Sequence, residues 1–539
     1  MVAGSVNTGC TSPGASEVYI RVNQLGFKPD GIKTGIVFSA GKLDGVEYYV
    51  LSAQGKEKVF TGTLLNSRGE WGKFGYNYEV DFSGVVSPGE YLLQVKNHKS
   101  LPFSIGEKIY SGYNSELLDY LRVQRCGPTN PYLHEVCHLF DSPYIVGDSL
   151  SGKVDVTGGW HDAGDYIKFT NTTAFTTYML LFAYEFSPES FSQDRDNSGA
   201  PDILEEARVG LDWLLRCNYK PGALITQVQD LRDHEVGWRL PENDPLKYER
   251  PAFSGMGKNI IGIYSAALAI GARIWRDKFY DADFSDQLIS AARGIYNLKD
   301  SAPDLDKSPS GMYQDLRFQG KLALGAFELY KATSDNSYLE DSKKFASIAG
   351  PDYWWSWGDI NSIAHYRLAS IDPFFTTFIE NNLKNWNDLK EKTVYRDIGA
   401  YTWGTTNLLF GVALNNILFK RLTGRSDYDS LAQLQFDYIL GRNPWGLSFI
   451  HGIGKSYTKN FHSQVTYIKG EKLPGGIAAG PVTEDLLKNY NISRDNVSQE
   501  KFNSPEVKYY DDRNDYLTNE PTIVTTATAL FVFGILGNR

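Results

Sequence analysis

Apolar and polar residues alternate in short runs near the start of the chain. The runs are Val18–Gln24, Lys33–Ser39, Glu47–Gln54, Lys58–Leu64, Tyr76–Phe82, Glu90–Val95 and Leu101–Ile105. A period of two buries one face of a strand and wets the other, and the Gly, Pro, Asp and Ser between the runs form turns. Seven such strands in about ninety residues predict an all-β, immunoglobulin-like sandwich over residues 17–106. From Glu107 the period lengthens. Ile203, Leu204, Ala207, Leu211, Leu214 and Leu215 share one helical face after a Pro201-Asp202 start. The same spacing predicts helices at Ile260–Trp275, Phe284–Leu298, Lys321–Ala332, Tyr401–Leu422, Ser430–Leu440 and Thr525–Leu536. Roughly a dozen helices over residues 107–539 fit an all-α (α/α)₆ barrel, a closed ring of paired helices; a solenoid would need a repeat of fixed period, and none is seen. Residues 1–16 are small and polar, and read as a tail or the stub of a signal segment without its apolar stretch. Cys10 lacks the apolar residues that precede a lipid-anchor cysteine, so it reads as part of that tail.

Charge and composition narrow the partners. A net charge of −10 without a long basic run argues against nucleic acid and anionic membranes. No apolar stretch approaching a bilayer span is expected. Aromatic residues make up 14% of the chain, which suits either a large core or the flat faces that sugar rings pack against.

Candidate chemistry is concentrated in Gly158-Gly159-Trp160-His161-Asp162-Ala163-Gly164-Asp165-Tyr166. Two nearby carboxylates repel, so one is harder to ionise unless a donor or metal compensates; an Asp-Gly turn is the plainer alternative. Cys126, Cys137, His138 and His161 add up to a closed tetrahedral zinc set, although a disulfide would also account for the two cysteines. Cys217 lies on an apolar helix face and reads as a buried thiol. Far downstream, Tyr509–Glu520 carries four acids and one arginine, ending at a glutamate just before an apolar helix. A protonatable glutamate and a distant carboxylate pair are the parts needed to cleave a glycosidic bond.

Taken together, these motifs resemble glycoside hydrolase family 9, the cellulase family, in its subgroup with an N-terminal immunoglobulin-like domain. The resemblance covers nearly the whole chain from residue 17. It implies an inverting, endo-acting hydrolase of β-1,4-glucan such as carboxymethyl cellulose, mixed-linkage glucan or xyloglucan, secreted, periplasmic or at the cell surface, and monomeric. It implies Asp165 as base, Asp162 as a second holder of the water, Glu520 as acid and Asp511 as catalytic support. It also implies zinc on Cys126, Cys137, His138 and His161, calcium near Asp194, Asp196 and Asp202, and no organic cofactor. A plain loop opening the next helix is the alternative at the calcium position. His462, Trp160, Tyr516, Trp403 and Arg250 are the candidate sugar contacts, and Trp354–Asp359 resembles another loop of the barrel mouth. Exo action, as a cellobiohydrolase, β-glucosidase or exo-β-glucosaminidase, and a non-catalytic carbohydrate-binding protein are the other readings. Two positions depart from the family pattern. Thr526 replaces a usual asparagine after the acid, and Gln464 stands where a His-x-Arg motif would place arginine. Gln464 lacks a cationic fork, so a looser subsite is expected there unless a nearby Arg or Lys takes the role.

Overall fold

The structure, a computed structural model, describes residues 17–53, 57–148 and 150–538. Cys10 and the predicted tail lie outside the described residues. The N-terminal strands are β1 (Val18–Val22), β2 (Gly26–Phe27), β3 (Thr34–Ser39), β4 (Glu47–Ser52), β5 (Lys58–Thr63), β6 (Tyr76–Asp81), β7 (Gly89–Val95), β8 (His98–Lys99) and β9 (Phe103–Ile105). They form two sheets, ordered β1-β3-β6 and β2-β9-β7-β4-β5, with β8 on β7. The predicted Val18–Gln24 run breaks after Val22 because Asn23 and Gln24 turn away from the sheet to bond with the second domain.

Strand β3 explains how the two domains join. All six of its residues are buried. Val37 faces the sandwich core, whereas Ile36 and Phe38 belong to the core of the helical domain. Trp71 and Phe74 join that second core, and the Trp71 Nε1 donates to the Phe502 carbonyl at 2.7 Å. Polar contacts complete the seam. Asn23 Nδ2 donates to Asp437 Oδ1 at 2.8 Å. Gln24 bonds the 446–456 loop through both side-chain atoms, and Arg442 reaches Glu79 at 2.6 Å.

Among the described residues, twelve helices of nine or more residues build the second domain: α1 (Asn114–Gln124), α2 (Thr170–Phe186), α3 (Asp202–Cys217), α4 (Lys258–Lys278), α5 (Ala282–Tyr296), α6 (Gln319–Thr333), α7 (Asn336–Ala349), α8 (Asn361–Ala369), α9 (Thr376–Lys390), α10 (Thr405–Thr423), α11 (Asp429–Ile439) and α12 (Ile523–Gly537). The even-numbered helices touch in the closed circuit α2-α4-α6-α8-α10-α12-α2, and the odd-numbered ones pack outside them. The expected (α/α)₆ barrel is therefore present. Sequence dictates which ring each helix joins. Helix α10 is buried without a break from Thr405 to Phe419, as a helix enclosed on all sides must be. Outer helix α5 buries only Phe284, Ser285, Leu288, Ala292, Ile295 and Tyr296, the single stripe of a surface helix. Residues Tyr516–Gly537 do reach a membrane-like mean hydropathy of 1.4, contrary to expectation. That run is 78% buried, because α12 is a wall of the inner ring and its apolar surface meets other helices.

The loops that enter the inner helices meet at one end of the ring. Tyr313 precedes α6, Trp357 precedes α8, Trp403 precedes α10 and Glu520 precedes α12.

Candidate active site

The Gly158–Tyr166 loop is held from several sides. Gln124 Nε2 donates to the His161 carbonyl at 3.1 Å and also to that of Ala163. The Asp162 carbonyl accepts the N–H of Ile523, the first residue of α12, at 3.1 Å. The glycines permit close approach. A Cβ on Gly159 would lie 2.7 Å from the Trp213 ring, and one on Gly164 would lie 2.1 Å from the His462 carbonyl oxygen. Any side chain at Gly164 would push this loop and the His462 segment apart.

Three carboxylates converge here. Asp162 accepts hydrogen bonds from the hydroxyls of Thr172 and Tyr313. Burial still raises its pKa to about 7, despite those bonds and with Asp165 adding to the rise. Asp165 accepts the Ile167 N–H through Oδ1 at 3.1 Å, and its Oδ2 lies 2.9 Å from His234 Nε2. That bond raises His234 to about 9. Glu520 Oε1 accepts the Gly164 N–H at 3.1 Å. Burial, and then the charge of Asp165, raise Glu520 to about 8. One carboxyl group is thus kept protonated at neutral pH beside another paired with a histidine cation.

Tyr313, His234, Trp238 and Gln124 had not been singled out from the sequence. Tyr313 has φ +49°, uncommon for a bulky side chain, and this strained geometry puts its hydroxyl on Asp162. Its ring meets Phe169 at 4.9 Å and Trp357 at 5.4 Å.

The predicted sugar contacts separate into two groups. His462 Nδ1 donates to the Arg513 carbonyl at 2.7 Å, and burial lowers the pKa of the ring. Its ring meets Trp238 at 5.1 Å and Tyr516 at 5.7 Å, and Tyr516 meets Trp403 at 5.7 Å. These four rings form a row leading to Trp403, which is 42% exposed. Trp160 and Arg250 are completely buried and out of reach of a polymer. The Trp160 Nε1 donates to Glu206 at 2.7 Å, while Arg250 pairs with Asp141 at 2.6 Å and donates to the Tyr166 carbonyl at 2.8 Å. Trp160 is core, and Arg250 supports the loop from behind. In the Trp354–Asp359 loop, Trp355 is likewise core, leaving Trp357 beside Tyr313.

Asp511 is buried and joins two loops. It accepts from the Asn460 N–H at 2.9 Å and from Lys459 N–H at 3.1 Å, and Asn519 Nδ2 lies at 3.3 Å. The Asn519 carbonyl in turn accepts the His462 N–H at 3.2 Å. Thr526 is buried on α12, with its hydroxyl on the Thr522 carbonyl. Gln464 is buried as well, and its Oε1 accepts the Arg239 N–H at 3.0 Å. It faces backbone, so the expected looser sugar subsite does not follow from its side chain.

Cys126, Cys137, His138 and His161 form a second group, with ligand atoms within 4.8 Å of one another. Both cysteines are free thiols. Cys126 Sγ lies 3.6 Å from His138 Nδ1, and Cys137 Sγ lies 4.0 Å from His161 Nε2; the two imidazole nitrogens are 3.1 Å apart. A tetrahedral ion with bonds of about 2.0–2.3 Å would have donor–donor edges of roughly 3.3–3.8 Å, and the separations of 3.1, 3.6 and 4.0 Å lie around that range. His138 presents its other nitrogen to Asp244 at 3.0 Å, the usual support for a metal-bound imidazole. At the calcium position, Asp202 is taken by Arg195 at 2.5 Å, and Asp194 and Asp196 accept amides of their own loop. A cation there would have to displace the Arg195–Asp202 pair.

A closed double ring of helices thus carries three convergent carboxylates at one end and is joined to a β-sandwich. Comparison with known proteins identifies the family. The profile of glycosyl hydrolase family 9 matches residues 110–533, and that of the cellulase N-terminal Ig-like domain matches residues 15–100. The chain belongs to glycosyl hydrolase family 9. It is 25% identical to a cellodextrinase of Butyrivibrio fibrisolvens, over 96% of this chain and 99% of that one. It is also 25% identical to endoglucanase D of Acetivibrio thermocellus, over 89% and 81%. A metagenome-derived family 9 endoglucanase superposes with a TM-score of 0.83 at 26% identity, covering 97% of this chain and 99% of that one. A Zn-binding triple mutant of endoglucanase J30 gives 0.81 at 25%, over 95% and 99%.

Proposed function

We propose that this enzyme cleaves internal β-1,4-glucosidic bonds by a single displacement with inversion. The observation that carries this reading is the Gly164 N–H bond to Glu520, which brings a protonated acid to within one residue of Asp165. Glu520 gives its proton to the glycosidic oxygen as the bond to the anomeric carbon breaks. Water attacks that carbon from the opposite face, and its proton passes to Asp165. Asp162, oriented by Thr172 and Tyr313, holds the water. Asp511 positions the His462 and Glu520 loops. We assign zinc to the Cys126, Cys137, His138 and His161 set, where a closed shell would brace the loop rather than activate water.

The row Trp238, His462, Tyr516, Trp403 supports a substrate that continues beyond the cleavage point, hence endo action on a soluble or cellulose-like glucan, outside the cell where such polymers occur. The likeness to a cellodextrinase over nearly its full length favours short oligomers as the second reading. A time course on barley-type mixed-linkage glucan, xyloglucan and cellulose oligomers, followed by viscosity and by NMR of the new anomeric centre, tests both. An early fall in viscosity with inverted products is expected. A single small product from the outset would favour the second reading, and net retention would exclude the single displacement.

A further inference from the structure

Segment 230–244 runs between the Cys/His group and the carboxylates, and one of its residues touches both sides. Arg239 is 7% exposed, and its guanidinium lies over the Tyr166 ring at 5.1 Å. Its Nη2 donates to Asp233 Oδ1 at 2.6 Å, and its Nε donates to Asp244 Oδ1 at 2.9 Å. Asp233 Oδ2 accepts the N–H of Tyr166, next to Asp165, at 3.1 Å. Asp233 also directly precedes His234, the partner of Asp165. On the other side, Asp244 Oδ2 receives His138 Nε2 at 3.0 Å. The backbone N–H of Arg239 is held by Gln464, two residues from His462.

A planar fork with several fixed donors can serve two carboxylates at a set angle, which a point charge on a flexible stem cannot. We propose that Arg239 is a positioning residue for bond cleavage: it fixes Asp233 and His234 against Asp165 and braces them on Asp244, behind the Cys/His group. The proposal rests on the reading of Asp165 as the base. It gives Gln464 a purpose, as the clamp on the segment that carries both Trp238 and Arg239.

The test uses the full chain with its metal. Arg239→Met, Arg239→Lys and Asp233→Asn are each made alone and combined with Asp165→Ala. Rates on soluble glucan are expressed per folded, zinc-loaded molecule, with azide added to raise the slow Asp165→Ala reaction. Arg239→Met should lower kcat by about 30- to 100-fold, the scale of a small misplacement, with KM within about twofold. Arg239→Lys should recover part of this. With Asp165 already replaced, Arg239→Met should cost almost nothing more, because its effect runs through Asp165. An unchanged kcat, or the same loss in both backgrounds, would overturn the proposal. Should Arg239→Met fail to fold, Asp233→Asn keeps the shape and makes the same comparison. Full turnover in Asp165→Ala alone would overturn the base assignment and this proposal with it, and it would be seen without any change at Arg239.

Discussion

The two ends of the helical ring both bury carboxylates, and they treat them in opposite ways. At the far end, Glu328 on α6 lies between Arg273 at 2.5 Å and Arg367 at 2.8 Å, and accepts from the Tyr178 hydroxyl at 2.9 Å. Glu185, beside the same arginines, would be raised by burial, yet Arg367 and Arg273 hold it near 2. At the near end, about 20 Å away along α2 by helical rise, Glu520 stands beside Asp165 and Asp162. Burial and like charge raise it to about 8. The far carboxylates are matched by arginines and do structural work. The near ones keep their charge problem unsolved, and that problem is the source of a protonatable acid.

The largest effect that would sharpen this contrast is on stability. Glu328→Leu leaves two buried arginines to share the single carboxylate of Glu185 and should cost about 3–5 kcal/mol, read by urea unfolding. A loss below about 1 kcal/mol would show that the far network is not compensating charge. Next is Glu520→Gln, which removes the proposed acid and should slow turnover on natural glucans by at least about a hundredfold, while the fold remains intact. Aryl glycosides with a good leaving group should lose much less; equal losses would take the acid role from Glu520. A third measurement follows pH. Because the acid must be protonated, kcat/KM should fall as pH rises through about 8, and Glu520→Gln should abolish that limb. The smallest effect concerns the cost of the site. Glu520 is raised to about 8 when folded and ionises near 4.3 when unfolded, so its contribution to stability declines between those values as pH rises. The Gln variant should therefore gain a few degrees of thermal midpoint at pH 8 and little at pH 4. An equal gain at both would mean that Glu520 is not held protonated by the fold. Zinc removal offers an independent check, since Cys126→Ser should lower metal content and thermal midpoint together.

Much of this was legible in the sequence, for identifiable reasons. Strands β1 and β7 alternate between buried and less buried residues, and Asp162, Asp165, Glu520 and the Cys/His set sit in short motifs of the sequence. Helix α2 was not singled out, because it opens on Thr170-Asn171-Thr172-Thr173 and is buried almost all round, which erases the helical stripe. Helix α8 is only nine residues long. Tyr313 and His234 carry no local signal: they reach Asp162 and Asp165 across 151 and 69 residues. Trp160 and Arg250 show the converse error, since likeness to a family loop says nothing about which way a side chain points. Gln464 was read as a sugar-facing position, and only the backbone of Arg239 reveals what its amide is for.

The seam between the domains has a consequence for how the chain is made. Asn23 must find Asp437, and Gln24 must find Gly446 and Ser456, partners 414 to 432 residues downstream. At ribosomal rates of about 5–20 residues per second, that is a wait of roughly 20–80 s. During this time the face of β3 that carries Ile36 and Phe38 is finished but uncovered. The sandwich leaves the ribosome before the helical domain yet is completed after it, and a nascent chain stalled before residue 437 would display that apolar face to whatever chaperone attends it.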